Sequence, residues 1–253
     1  MRNLIYRLYE RSLEQSLNTA DLPKHVAVML DGNRRWAERR SGAKAKHGHA
    51  AGAQKIFEFL GWCDEIGIKV VTLYMLSTDN LVKRESEELK DLLAIIGAVA
   101  TDLAQIKKFK IQLVGDRAAL PAQLLAQIES AEKATEKIKG LHVNLAVGYG
   151  GRKEIADAMR DILKTHAGQG TSVEDLASML TPELITEHLY TGGQPDPDLI
   201  IRTSGEQRLS GFLLWQSSNS ELYFEEALWP DFRRVDFLRA IRAFESRHRR
   251  FGA

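Results

Sequence analysis

Six apolar runs stand out from the polar background of this chain: HVAVML (25–30), KVVTLYML (69–76), KIQLVG (110–115), LHVNLAVGY (141–149), DLIIRT (198–203) and a weaker sixth, SELYF (220–224). Several are apolar at successive positions instead of alternating, which predicts strands covered on both faces. Between them, apolar residues recur at helical spacing over roughly 50–66, 85–107, 119–138 and 151–166, and again near 235–248. Such alternation predicts an α/β fold with one mainly parallel sheet of about six strands and helices on both faces. No repeat, low-complexity tract or long linker interrupts it. Gly168-Gln169-Gly170 and Gly192-Gly193-Gln194-Pro195 read as loops inside a single domain spanning 1–253.

The first 24 residues read as an amphipathic helix and its lead-in. Leu4, Ile5, Leu8, Tyr9, Leu13 and Leu17 recur at helical spacing, with Arg2, Arg7 and Arg11 between them. A helix packed on its own domain is the favoured reading, and peripheral membrane contact is the alternative.

Composition narrows the function classes. The chain has 253 residues, 44% hydrophobic and 27% charged, ordinary for a globular enzyme. Lys plus Arg at 35 against Asp plus Glu at 34 gives a net charge of +1, which argues against nucleic acid as a partner. Any basic site must be local. Cys63 is the only cysteine, so no intramolecular disulfide can form and a cytoplasmic setting fits. No apolar run approaches the roughly 20 residues of a membrane span.

In open α/β sheets, ligands bind beyond the carboxyl ends of the strands. Four polar groups follow the predicted strands: Asp31-Gly32-Asn33-Arg34-Arg35, Ser77-Thr78-Asp79-Asn80, Gly148-Tyr149-Gly150-Gly151-Arg152 and Arg202-Thr203-Ser204-Gly205-Glu206. Gly32 lets backbone approach a ligand, the N–H groups after it start a helix, and guanidiniums fork onto phosphate. A carboxylate beside an anion site is electrostatically awkward unless a divalent cation bridges them, so Asp31 on Mg²⁺ and Mg²⁺ on a diphosphate is one reading. A helix-capping Asp with surface arginines is the other. Arg202, Arg208 and Ser210 form a second candidate anion pocket. Glu221 is either a second metal carboxylate or an arginine's salt-bridge partner.

HVAVMLDGNRRWA, GHAAGA (48–53), LYMLSTDNL (73–81), NLAVGYGGRKEI (144–155), IIRTSGEQRLSGFLLWQ and LYFEEALWPDF occur in the order found in cis-prenyltransferases, and the chain resembles that family from about His25 to RHRRFG (247–252). The resemblance implies a homodimeric enzyme that joins isopentenyl diphosphate to an allylic diphosphate such as geranyl or farnesyl, making a Z double bond. It implies Asp31 as the essential carboxylate handling Mg²⁺ and the departing diphosphate. Gly32, Asn33, Arg34, Arg35, Trp36 and His49 would form the allylic site, and Arg202, Arg208 and Ser210 would hold isopentenyl diphosphate. Glu221 resembles the second metal carboxylate. Asn80 stands with Asp31 as catalytic; Ser77, Thr78 and Asp79 belong to the same substrate-contacting turn.

Departures from the family pattern leave questions. Ala45 stands where many members have Arg, with Lys44 or Lys46 as substitutes. A one-residue shift after Asn80 leaves Lys83 or Arg84 as a phosphate contact, Arg84 being favoured. His25, His47, His142, His166, His188 and His248 are read as surface or structural. The resemblance implies a hydrophobic tunnel between sheet and helices, walled in part by ESEELKDLLAIIGAVATDLAQI (85–106), where Gly97 is expected to permit a bend. Met75 and YMLSTDNL resemble the short-chain type, so Z-farnesyl diphosphate is the expected product, and a decaprenyl or undecaprenyl product the alternative. A non-catalytic partner subunit should have lost Asp31, Asn80, Arg202, Arg208 and Glu221, yet all are present. No G-x-G-x-x-G follows the first strand, which disfavours a dinucleotide-dependent oxidoreductase.

Overall fold

The computed structural model describes residues 2–18, 21–40, 44–84 and 86–251, with side chains described between residues 9 and 247. Its centre is one parallel sheet of six strands: β1 (His25–Met29), β2 (Val70–Ser77), β3 (Phe109–Val114), β4 (Leu141–Tyr149), β5 (Leu199–Arg202) and β6 (Glu221–Phe224), in the order β3-β4-β2-β1-β5-β6. All six expected strands form.

Among the described residues, ten α-helices connect and flank them. Those of 14 residues or more are α1 (Arg2–Ser16), α3 (Ala45–Glu65), α5 (Ser86–Ile106), α6 (Ala122–Thr135), α7 (Gly151–Gly168) and α10 (Arg234–Phe251). The four short ones are α2 (Asn33–Glu38), α4 (Thr78–Lys83), α8 (Val173–Met179) and α9 (Pro182–Glu187). Helices α4, α8 and α9 are too short to show an apolar period. Their N-caps alone mark them: the hydroxyls of Ser77, Ser172 and Thr181 accept the N–H of Asn80, Asp175 and Leu184.

Strand β1 shows why its run is apolar throughout. All five residues are buried, because alternate side chains enter two different cores. Val26 and Val28 meet Ile56, Phe59 and Leu60 of α3, Ile96 of α5 and Phe237 of α10. Ala27 and Met29 meet Tyr149, Ile200, Phe212 and Leu213 on the other face. Phe59 sits edge-on to Trp229 and Phe237, with centroids 5.6 and 5.3 Å away.

Gly97 faces α6. A Cβ there would overlap the Gln127 amide of α6, so glycine permits the close approach of α5 and α6. Helix α1 packs on α10, with Leu13 buried against Val235 and Leu238. Arg234 adds ion pairs to Glu14 at 2.9 Å and Glu65 at 3.1 Å. The side chains of Leu4, Ile5, Leu8, His248, Arg249 and Arg250 lie outside the described residues. Among the described residues, no helix is long and apolar enough to cross a membrane.

Candidate active site

The carboxyl ends of β1, β2, β4 and β5 open into one cleft of about 880 Å³. Its geometry starts at the turn after β1. The Thr203 hydroxyl accepts the Asp31 N–H at 3.1 Å and donates to the Asp31 carbonyl at 2.8 Å, while Trp229 N–H donates to the same carbonyl at 3.0 Å. Gly32 has φ 104°, and a Cβ on it would meet Leu228 Cδ2 at 2.8 Å, so both conformation and space require glycine. Asn33 then starts α2, its amide donating to Leu30 O at 3.1 Å.

The GHAAGA stretch is explained by packing. A Cβ on Gly48 would overlap the Asn33 carbonyl, and one on Gly52 would overlap the Asn33 side chain. Two glycines four apart share one helix face, so α3 presses against the start of α2 and delivers His49 to the cleft wall.

Two groups of basic side chains line the cleft. One comprises Arg34, His49 and Arg84. Glu88 Oε1 lies 3.0 Å from His49 Nε2 and 2.9 Å from Arg84 Nη1. Burial lowers the His49 pKa, only partly offset by the hydrogen bond to Glu88. Burial alone would raise Glu88, but the hydrogen bond from His49 and the charges of Arg84 and Arg34 hold it below the usual carboxylate range. The other group is built on the loop after β5. Arg202 Nη2 donates to Asp31 Oδ2 at 2.8 Å, and Nη1 donates to Ser210 Oγ at 2.9 Å and to the Arg208 carbonyl. Glu206 pairs with Arg208 and lies 4.0 Å from Arg35. This loop holds Ser204, Gly205, Ser210, Gly211 and Leu213 at positive φ.

The expected residues Asp31, Gly32, Asn33, Arg34, Arg35, His49, Ser77, Thr78, Asp79, Asn80, Arg84, Arg202, Arg208 and Ser210 all line this cleft. Its apolar lining includes Met75, Leu76 and Leu92 from the core on one sheet face and Tyr74 from the core on the other. Met75 falls at a shift in the β2–β4 register, between Tyr74 opposite Ala146 and Leu76 opposite Val147, where the bulge re-aims the strand end. Burial pushes the Tyr74 phenol up to about 12.

The family profile of undecaprenyl diphosphate synthase matches residues 29–252. The chain belongs to this prenyltransferase family. A (2Z,6E)-farnesyl diphosphate synthase of Thermobifida fusca is 55% identical over 252 residues, covering 100% of this chain and 98% of that one. A short-chain Z-isoprenyl diphosphate synthase of Mycobacterium bovis is 49% identical, covering 100% and 97%. Lavandulyl diphosphate synthase from Lavandula x intermedia, solved with dimethylallyl diphosphate, superposes with a TM-score of 0.83 at 33% identity, over 89% of this chain and 96% of that one.

Two expected site residues of this prenyltransferase lie elsewhere. Trp36 turns out of the cleft: its Nε1 donates to Asp231 Oδ1 at 2.8 Å and the Arg40 guanidinium lies 4.2 Å from the ring centroid. Successive helical residues point about 100° apart, so the residue after Arg35 leaves the cleft side. Glu221 does not join Asp31 either. It starts β6, opposite Leu199, three residues before the Arg202–Phe224 pair at the cleft, and so sits about 10 Å down the strand. There it pairs with Arg247 at 2.8 Å.

Lys83 pairs with Asp79 at 2.9 Å with its side chain 72% exposed, while Arg84 lines the cleft. Lys46 pairs with Asp91, and neither it nor Lys44 reaches the cleft. Sequence reasoning missed Glu88. Its one signal was the i, i+4 spacing from Arg84.

Proposed function

We propose that this chain condenses isopentenyl diphosphate with an allylic diphosphate and that its product is short, a Z-farnesyl diphosphate. The observation that carries the length is the bulky apolar lining of the cleft, Met75, Leu76 and Leu92. They belong to the same packed core as Ile96, Val99 and Ala100, which are 0–3% exposed. Each added methylene is favourable by roughly 0.8 kcal/mol while it enters open apolar space, and overpacking by more atoms costs about 1–3 kcal/mol.

The allylic diphosphate lies at the Gly32–Arg35 turn, with Arg34, His49 and Arg84 around it. Isopentenyl diphosphate lies on Arg202, Arg208 and Ser210. As the allylic C–O bond breaks, its electron pair leaves with the diphosphate, and guanidiniums aimed at that growing charge stabilise the transition state more than the ground state. The alkene of isopentenyl diphosphate bonds to the allylic carbon and a proton leaves its own C2, giving Z-prenyl diphosphate, pyrophosphate and H⁺. Ser77 and Asn80 orient the reacting groups; both are neutral and weak bases, so the released diphosphate takes the proton.

Mg²⁺ fits this reading through one residue. The Asp31 side chain is 36% exposed at the cleft and offers a hard oxygen donor. Among the described residues no three His, Cys, Asp or Glu side chains gather as a metal cage. A single carboxylate suits Mg²⁺, which takes most of its ligands from water and substrate phosphates. When bound there it would neutralise charge on the diphosphate. The same reading makes the chain a cytoplasmic homodimer, with twice the monomer mass in light scattering.

Incubation with geranyl and isopentenyl diphosphates, followed by sizing of the products, tests the proposal. A 15-carbon main product is expected. A product of 50 or more carbons would favour the decaprenyl or undecaprenyl reading, and none at all would sink prenyl transfer.

A further inference from the structure

Arg34, His49 and Arg84 line one wall of the cleft, and the carboxylate behind them, Glu88, does not. Its Oε1 is shared by His49 Nε2 at 3.0 Å and Arg84 Nη1 at 2.9 Å, with Arg34 Nε at 4.0 Å. The side chains of His49, Arg84 and Glu88 are 5%, 11% and 16% exposed. A carboxylate only accepts, so the 3.0 Å bond to Glu88 calls for the imidazole proton on Nε2, the nitrogen that Arg84 Nη1 approaches more loosely at 3.3 Å. The other ring nitrogen is buried with no hydrogen-bond partner among the described residues.

A helix-stabilising ion pair would explain part of this, since Arg84 and Glu88 are four apart. It does not explain His49, which is 39 residues away on α3. Nor does it explain why one oxygen collects donors from two elements at a cleft wall. Three basic groups so close need a counter-charge before any substrate arrives, and Glu88 supplies it from the first turn of α5, where the helix end favours an acid.

We propose that Glu88 is a positioning residue for the allylic-diphosphate half of the site: it holds Arg84 and His49 facing the cleft and fixes the His49 proton on Nε2, without touching substrate. This rests on the prenyl-transfer reading above. It predicts a one-sided defect, because the isopentenyl side is held by Arg202, Ser210 and the loop, none of which contacts Glu88.

The test is Glu88→Gln, which keeps the shape and removes the charge, assayed with geranyl and isopentenyl diphosphates varied in turn. The expected result is a fall of roughly 10- to 100-fold in kcat/KM for the allylic substrate, the scale for losing a charge-assisted hydrogen bond. The KM for isopentenyl diphosphate stays within about twofold, and Glu88→Asp recovers part of the loss. Unchanged kinetics would overturn the proposal. So would equal losses on both substrates with a fallen melting temperature, or failure of both variants to fold, since each makes Glu88 merely structural. Calorimetric titration of inorganic pyrophosphate reads the same clamp without turnover. An inactive wild type that still binds pyrophosphate more tightly than Glu88→Gln would overturn prenyl transfer alone.

Discussion

The two walls of the cleft hold the same kind of charge by opposite means. On the α3–α5 side His49 and Arg84 are largely buried and converge, with the more exposed Arg34, on the Glu88 carboxylate of α5. On the β5 side only Arg202 is buried; Arg208 has its side chain 66% exposed on a loop with five residues at positive φ. The helical wall is pre-organised, so binding there loses little further conformational freedom. The loop wall is held by backbone strain and by Glu206, contacts that an arriving diphosphate can replace. One wall is built to be ready and the other to be completed by its substrate. That order suits a reaction in which the allylic group must be seated before its leaving group departs.

The largest test of this contrast is its shared member. Asp31 contacts Arg202 at 2.8 Å and lies 3.7 Å from Arg35, on the turn that leads into Arg34 of the other wall. Asp31→Ala is expected to lower kcat by about 10²–10³ or more in Mg²⁺-containing assays, with both substrates affected. Retention of more than a tenth of wild-type turnover would separate Asp31 from the chemistry. Next in size, Arg208→Gln should raise the KM for isopentenyl diphosphate by roughly tenfold while sparing the allylic substrate. Arg84→Gln should do the reverse. Identical profiles for the two variants would dissolve the distinction between the walls.

A smaller effect appears in pH. The folded state lowers the His49 pKa below 6.5, so its contribution to stability is full above pH 6.5 and declines as pH falls below it, where the unfolded chain takes the proton first. Glu88 is also lowered, from 4.5, and its contribution is lost only in more acidic solution. The wild type should therefore lose a few degrees more of melting temperature than His49→Asn, roughly, between pH 7 and 5. The other lowered histidines, His25 and His142, are common to both proteins. Parallel slopes would show that the helical wall is not pH-sensitive. Smallest of all, Trp36→Phe should change either KM by less than about twofold, since the indole contacts Asp231 and Arg40 outside the cleft. A tenfold rise would return it to the site.

Much of this was legible in the residues. The doubly buried strands announced themselves by unbroken apolar runs, and the sheet topology then put four polar strand ends together. Gly32 was readable because one turn needed both a sharp bend and close backbone approach. Glu88 was not, because its partner His49 is 39 residues away in sequence and only the packing of α3 against α5 brings them together. Trp36 and Glu221 lie apart from Asp31 within this chain for a related reason: neighbours in a motif need not be neighbours in space. Helical rotation turned one away, and the β5–β6 register placed the other down the strand.

By itself, then, the sequence determined the parallel α/β sheet, the family and the chemical inventory of the cleft, since these follow from local patterns of apolarity, glycine and charge. Tertiary structure alone decided which basic groups share a carboxylate, which wall is rigid, and which apolar side chains line the cleft. Those depend on packing distances between segments far apart in the chain, which no local pattern encodes.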